Sequence, residues 1–327
     1  MNWQGKRVLI TGAGGFIGSH LTEQLVLQGA TVRALVHYNA LGTWGWLDTS
    51  PHKDSIEVIA GDISDRDSVQ RAMQAAEYVF HLAALIAIPY SYQAPMSYVR
   101  TNIEGTLNVM QSALQLGVTQ VVHTSTSEVY GTAQYVPIDE KHVLQGQSPY
   151  SASKIGADKM VEAFHLSFGL PVVTVRPFNT FGPRQSARAV IPTIITQFLT
   201  GQRVKLGSLH PTRDLNYVLN TVDGFIRAAA TPEAVGKTIN LGSGREISIG
   251  DLAQLIAQLM DVTPVIESDD VRIRPGKSEV ERLLADNTQA QSVLGWTPQV
   301  SLEQGLVATI DWLRQHLEKY RPDLYAI

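Results

Sequence analysis

A chain of 327 residues that is 44% hydrophobic and carries a net charge of −4 holds enough apolar material for a large core and a second lobe, which excludes a disordered or fibrous protein. The slight acidic excess, without any Lys/Arg-dense block, offers no footprint for nucleic acid. Cysteine is absent, so disulfides and thiolate chemistry are excluded; no metal site is expected, and no apolar run approaches the roughly 20 residues of a membrane span, which gives a reading of a cytoplasmic protein with no membrane partner.

The first strand is expected over Val8 to Ile10 and the first helix from Phe16 to Gln28. Strands at Thr31 to Val36, Ile56 to Ile59 and Tyr78 to Leu82 follow, with a helix at Ser68 to Ala75 before the last of them. Short Val/Ile/Leu runs that are apolar on both faces belong in a parallel sheet covered by helices, and right-handed crossovers then give a doubly wound Rossmann-type α/β fold. His37 to Asp54, with Trp44 and Trp46, reads as a long loop after the second strand. The rhythm continues through a helix at Met96 to Leu116, a strand at Gln120 to Thr124, a helix at Tyr150 to Phe168 and a strand at Val172 to Arg176, with Gly29 and Gly117 where helix C-caps belong. Beyond residues 176–184 the regularity weakens, up to a final amphipathic helix from Leu302 to Tyr320. We therefore expect a dinucleotide-binding domain from residues 1–176 and about 212–240, and a smaller mixed α/β substrate lobe from 177–211 and 241–327.

Gly12, Gly15 and Gly18 follow the first strand and open a helix at Phe16 and Ile17, so backbone there can approach a pyrophosphate at a helix N-terminus. Asp62 and Ile63 follow the third strand, where a carboxylate can accept from an adenine amino group. Leu82, Ala83 and Ala84 end the fourth strand with residues that let a cofactor lie close. The end of the second strand, where an acid would bind the ribose hydroxyl of NAD, carries His37 and Asn39 instead, so NAD and NADP both stay open. Tyr150 and Lys154 lie four apart on one helix face, and an ammonium beside a phenol favours phenolate, the form that acts as a base toward a sugar hydroxyl. The preceding strand runs into a hydroxyl-rich loop with Thr126, Ser127 and Glu128, which supplies a partner for the same sugar oxygen and a carboxylate beside the cleft.

With the glycine turn, Thr126, Tyr150 and Lys154 in this order, the chain resembles the extended short-chain dehydrogenase/reductase family nearly end to end. The resemblance implies that Thr126, Tyr150 and Lys154 are catalytic, that Lys154 also binds the nicotinamide ribose, and that the cofactor stays bound and is recycled in each turnover. It implies that Asn179 meets a substrate diphosphate and that Arg213 and Arg274 lie near nucleotide phosphates, with Arg184 or Arg188 available to a sugar carboxylate. It also implies a homodimer, in which the helices at 96–116 and 150–168 pair with a partner's copies as a four-helix bundle. Glu128 stands where the dehydratases of this family hold the base for the C5 proton. Segments 38–48, 84–92 and 277–283 are most similar to the nucleotide-sugar 4,6-dehydratases of legionaminic-type pathways, which implies a UDP- or GDP-linked N-acetylglucosamine. Ser127 departs from the acid that many 4,6-dehydratases carry there, and Thr-Ser-Glu also resembles UDP-glucuronate decarboxylases. A decarboxylase, a 4-epimerase and a catalytically inactive NAD(P)-sensing protein on the same fold are the alternatives.

Overall fold

The computed structural model describes residues 2–321 apart from 202 and 274. In chain order the first half comprises β1 (Arg7–Thr11), α1 (Phe16–Leu27), β2 (Thr31–His37), β3 (Ile56–Gly61), α2 (Arg66–Met73), β4 (Tyr78–His81), α3 (Ile88–Gln93), α4 (Pro95–Tyr98), α5 (Gly105–Leu116) and β5 (Gln120–Thr124). Then come α6 (Pro149–Phe168), β6 (Val172–Pro177), β7 (Asn179–Phe181), α7 (Val190–Thr200), β8 (Arg203–Leu206), β9 (Thr212–Tyr217), α8 (Val218–Ala230), β10 (Thr238–Leu241), β11 (Glu246–Ser248), α9 (Ile249–Met260), β12 (Val265–Ser268), α10 (Thr288–Leu294) and α11 (Leu302–Gln315).

Seven of these strands form one parallel sheet in the order β10-β6-β5-β4-β1-β2-β3. The chain starts in the middle, winds out to β3, then returns to build the other half from β4, the doubly wound arrangement expected from the sequence. Alternation sorts its side chains: Leu9, Leu35, Val79, Val121 and Val172 pack on one face, while Val8, Ile10, Ala34, Phe80, Val122 and Val173 pack on the other. Each Val, Leu, Ile or Phe among them, sealed from water, contributes about 1.5–3 kcal/mol to the core. β7, β9 and β11 form a second, three-stranded sheet, and β8 pairs with β12. α8 returns to the main sheet, against α1, β5 and β6.

Because the strand order reverses between β1 and β4, a crevice opens at the carboxyl ends of these strands. The glycine turn, residues 82–84 and residues 124–128 all hang from that edge.

Three local expectations are refined. The helix foreseen at Met96 to Leu116 is α4 and α5 joined by a π turn over Val99–Glu104. Within that turn Asn102 is almost fully buried and bonds both Leu85 (N to Oδ1, 2.8 Å; Nδ2 to O, 2.9 Å) and Ser153 on α6 (2.9 Å), a three-way tie that a regular α turn does not have to accommodate. The loop at 37–54 contains two 3-10 turns, Gly45–Thr49 and Lys53–Ser55. The last helix ends at Gln315 rather than Tyr320, because His316 leaves helical geometry (φ −131°) and its Nδ1 donates to the Trp312 carbonyl at 2.8 Å.

Candidate active site

The glycine turn is built for backbone contact. Gly12 has φ +72°, and a Cβ on it would sit 2.8 Å from the Ala83 nitrogen; one on Gly18 would sit 2.2 Å from the Gly12 carbonyl. Both positions demand glycine for close backbone approach. Gly15 differs, since a Cβ there meets nothing nearer than the Gly12 carbonyl at 3.2 Å, so its outer side faces open space. α1 begins at Phe16 without a side-chain cap, which leaves its first N–H groups directed into the crevice. An uncapped helix start beneath an open glycine is the donor set that an anionic diphosphate needs, so these residues fit a dinucleotide. Thr11 fixes the opposite wall: its hydroxyl accepts from the N–H groups of Leu82 (3.2 Å) and Ala83 (3.1 Å) and pairs with His81 Nδ1 (2.9 Å). Ala84 continues from that wall, and Ile63 is buried under Gly105, with its carbonyl held by Asn108 at 3.0 Å.

The end of β2 is not as the sequence order suggested. The β2–β3 register sets His37 opposite Gly61, and the next residue, Asp62, brings its carboxylate to 3.6 Å from His37 Nε2. A strand neighbour thus supplies the acid that β2 lacks. Asn39 is spent inside its own loop, donating to the Thr43 carbonyl and accepting from Leu41 and Thr43.

Tyr150, Thr126 and Glu128 converge. Ser148 caps α6 and Pro149 opens it, so Tyr150 lies in the first turn, over the end of β5. The Thr126 hydroxyl accepts from the Glu128 N–H at 3.2 Å, and it and the Glu128 carboxylate are both close enough to the Tyr150 phenol to act on its ionisation. Ser127 is buried at the start of the 3-10 turn Ser127–Tyr130. Lys154, one helical turn after Tyr150, is also buried and donates to the Thr124 carbonyl at 2.7 Å. Burial lowers the Lys154 ammonium to about 8, against the opposing pull of Asp158. Burial is also the largest influence on Tyr150 and raises it, with the Thr126 hydroxyl opposing the rise and the Glu128 charge adding to it. The phenol is therefore raised, not lowered as the neighbouring ammonium was expected to make it, since spacing on a helix fixes proximity but not desolvation.

Sequence reasoning missed what lies beneath. Asp158, one further turn along α6, is buried and accepts from Ser125 (2.7 Å) and from Arg176 on β6 (2.9 Å), with His123 Nε2 at 3.2 Å from its other oxygen. Arg176 also donates to the Tyr130 hydroxyl (3.0 Å), which donates to Asn240 (2.7 Å). The only signal in the sequence was the repeat of polar residues at 150, 154 and 158 on one helix face.

At the start of β7, the Asn179 Oδ1 is buried and unpaired, an orphan acceptor. Arg213 is buried and donates to Glu279 at 3.1 Å and to the Thr212 carbonyl at 2.9 Å. Arg184 is engaged at one end only: its Nη2 donates to Glu23 on α1 at 3.0 Å while its Nη1 is buried without a hydrogen-bond partner, and the adjacent Pro183 carbonyl pairs with His20 at 3.0 Å. Arg188 is exposed and donates to Ser186. Arg274 lies outside the described residues.

The family described as GDP-mannose 4,6 dehydratase matches residues 9–309. The chain is 33% identical to the UDP-glucose 4-epimerase of Mycolicibacterium smegmatis over 314 residues, covering 94% of this chain and 98% of the relative. It is also 33% identical to the UDP-N-acetyl-alpha-D-glucosaminuronate decarboxylase of Bacillus cytotoxicus over 325 residues, covering 95% and 98% respectively. Among solved structures, the dTDP-glucose 4,6-dehydratase DesIV of Streptomyces venezuelae, determined with NAD bound, superposes with a TM-score of 0.87 at 29% identity over 97% of this chain and 99% of that one. Glycine turn, Tyr150–Lys154 pair and matched length agree: the chain belongs to the GDP-mannose 4,6-dehydratase family, within the extended short-chain dehydrogenases/reductases that include nucleotide-sugar dehydratases and epimerases.

Proposed function

We propose that this protein is an NAD-dependent nucleotide-sugar 4,6-dehydratase that acts on UDP- or GDP-N-acetylglucosamine and yields the 4-keto-6-deoxy sugar. The observation that carries this reading is the convergence of Glu128 and Thr126 on the Tyr150 phenol. Tyr150 takes the proton of the sugar C4 hydroxyl, and Thr126 holds the same oxygen. Lys154 supplies the positive charge that favours phenolate and binds the nicotinamide ribose. NAD held at the glycine turn would supply the hydride acceptor for oxidation at C4 and the hydride donor for reduction at C6. Glu128 takes the C5 proton, made acidic by the C4 ketone, water leaves from C6, and a proton from solvent enters at C5 as C6 gains hydride. Ser127 is too weak an acid to protonate the departing hydroxyl well, which leaves Glu128 to pass on the proton it has gained.

Gly12, Gly15, Phe16, Ile17 and Gly18 hold the diphosphate of the cofactor, with Ile63, Leu82, Ala83 and Ala84 as walls. Asp62 beside His37 supports NAD over NADP, because a second phosphate next to an exposed carboxylate is repelled. Asn179 and Arg213 lie on the side we assign to the substrate diphosphate, in a lobe formed by residues 177–211 and 241–327. That relatives of equal length include dehydratases and decarboxylases keeps a second reading in view, UDP-glucuronate decarboxylation, which Thr126-Ser127-Glu128 also suits.

Mass spectrometry after incubation with a panel of nucleotide-sugars separates the two. The expected product from UDP- or GDP-N-acetylglucosamine is lighter by one water and carries a ketone; release of carbon dioxide from UDP-glucuronate would establish the second reading instead. In the same assay Glu128→Gln should slow formation of the dehydrated sugar by about 100-fold while the reduced cofactor still forms. Unchanged exchange of the C5 proton with solvent in this variant would remove Glu128 from its role.

We also propose a homodimer through α5 and α6. Met96, Val99, Leu114, Met160, Leu166 and Phe168 are exposed along the helices at 95–116 and 149–168, an apolar surface unusual for a monomer. The molar mass in solution, by light scattering, should be twice that of one chain.

A further inference from the structure

The loop that follows β2 lies on the glycine turn. The Trp46 N–H donates to the Gly14 carbonyl at 3.0 Å. The fit is close in both directions: a Cβ on Gly14 would come within 2.3 Å of the Trp44 carbonyl, and one on Gly45 within 2.4 Å of the Gly14 carbonyl. Leu47 anchors the far end of the loop in the core, whereas Tyr38 and Leu41 at its start are 68% and 87% exposed. A segment with so few buried contacts opens at little cost unless something else holds it.

That hold comes from the C-terminal helix. The Trp46 indole meets Trp312 of α11 edge-on, ring centroids 5.3 Å apart at 75°, and Lys319 lies 4.9 Å over the Trp46 ring. Trp312 is itself fixed. It stacks on His316 (4.2 Å, 9°) and takes Tyr320 against its edge (6.2 Å, 86°), while Leu306, Ile310 and Leu313 bury the other face of α11. The chain of contacts then runs to the second lobe, because the Tyr320 hydroxyl donates to the Gln185 carbonyl at 2.7 Å and Gln185 donates to the Thr180 carbonyl at 2.9 Å.

We propose that Trp46, Trp312 and Lys319 form a clasp by which α11 and the turn that follows it hold the 38–50 loop on the glycine turn and so set how slowly the dinucleotide leaves. This rests on the reading that the turn holds NAD. An enzyme that takes a hydride in the first half of its cycle and returns it in the second needs its cofactor to outlast the cycle, and a clasp that must open before release lengthens residence without touching the reacting atoms. Trp46, Trp312 and Lys319 are positioning residues, acting through the loop.

The test is cofactor release from the holoenzyme. Protein loaded with NAD is diluted into a trap that consumes free NAD, and the bound fraction is followed in time. Trp46→Ala and Trp312→Ala should each release NAD roughly 10-fold faster, and the double variant no faster than either single one, because each breaks the same contact. Trp46→Phe should keep most of the slow release, and Lys319→Ala, at an exposed position, should speed release a few-fold whether or not the Ala variants fold. Release at the parent rate from Trp46→Ala and Lys319→Ala, or strictly multiplicative effects in the double variant, would overturn the clasp. A parent protein that retains no dinucleotide at all would instead overturn the cofactor reading beneath it.

Discussion

Tyr150→Phe is expected to lower the rate of hydride removal roughly a thousandfold, with the fold intact and the cofactor retained. The change deletes one oxygen. The ring keeps its edge-on contact with Tyr98, whose centroid lies 6.3 Å away, and Tyr98 stays fixed by its own hydrogen bond to the Ala87 carbonyl. Loss of the hydroxyl's polar contacts costs about 1 kcal/mol of stability, far too little to unfold the chain. What disappears is the group we propose as the base. Single-turnover formation of reduced cofactor, read by its near-ultraviolet absorbance, checks the loss; a drop smaller than tenfold would move the base elsewhere. The pH profile of the parent enzyme carries a second sign. Burial raises the phenol, so ionised Tyr150 is scarce at neutral pH and becomes commoner as the pH rises. Lys154, lowered to about 8 by burial, holds its charge below that value and loses it above. Rate should therefore climb with pH only until Lys154 gives up its proton, and turn over near 8. A profile that rose steadily through pH 10 would show that the ammonium contributes nothing.

The parts of this site that could be read from the sequence are those whose geometry is local. Gly12, Gly15 and Gly18 sit within one turn at the end of a strand, and Tyr150 and Lys154 share a helix face, so strand-to-helix order alone brings them to one edge of the sheet. The parts that could not be read depend on which strand lies beside which. Asp62 reaches His37 only because β3 pairs with β2 in that register. Arg176 reaches Asp158 only because β6 runs next to β5 and under α6. Trp46 and Trp312 stand at opposite ends of the chain, and no periodicity in either segment refers to the other. Charge state is the least legible of all. The Tyr150–Lys154 spacing promised a depressed phenol, and the desolvation that reverses it is a property of the packed interior.

Asp158→Asn should destabilise the protein by about 3–5 kcal/mol, a fall in melting temperature on the order of 10 °C. The carboxylate and its Arg176 partner have side chains only 5% and 6% exposed, so a neutral amide leaves a guanidinium in a nearly dry interior with the Tyr130 hydroxyl as its remaining side-chain partner. Replacing both residues with apolar side chains of similar volume should cost less than replacing either alone, since it is the uncompensated charge that destabilises. Burial works against the Asp158 charge, but the His123 hydrogen bond and the nearby Arg176, His123 and Lys154 charges outweigh it and hold the carboxyl at about 2, below its ordinary value of 3.8. A depressed carboxyl stabilises the fold above its unfolded value and loses that contribution as the pH falls through the folded one. The gap between parent and variant should thus be full at pH 7 and should narrow between pH 4 and about 2, as urea titrations across that range would reveal. The same substitution reaches the site itself. Asp158 is the charge that opposes desolvation at Lys154, so without it the ammonium falls below 8 and the alkaline turnover of the rate moves to lower pH. A variant that lost stability but kept the parent pH profile would make Asp158 a brace for α6 and nothing more; a shift of both ties the buried ion pair to the proton transfer above it.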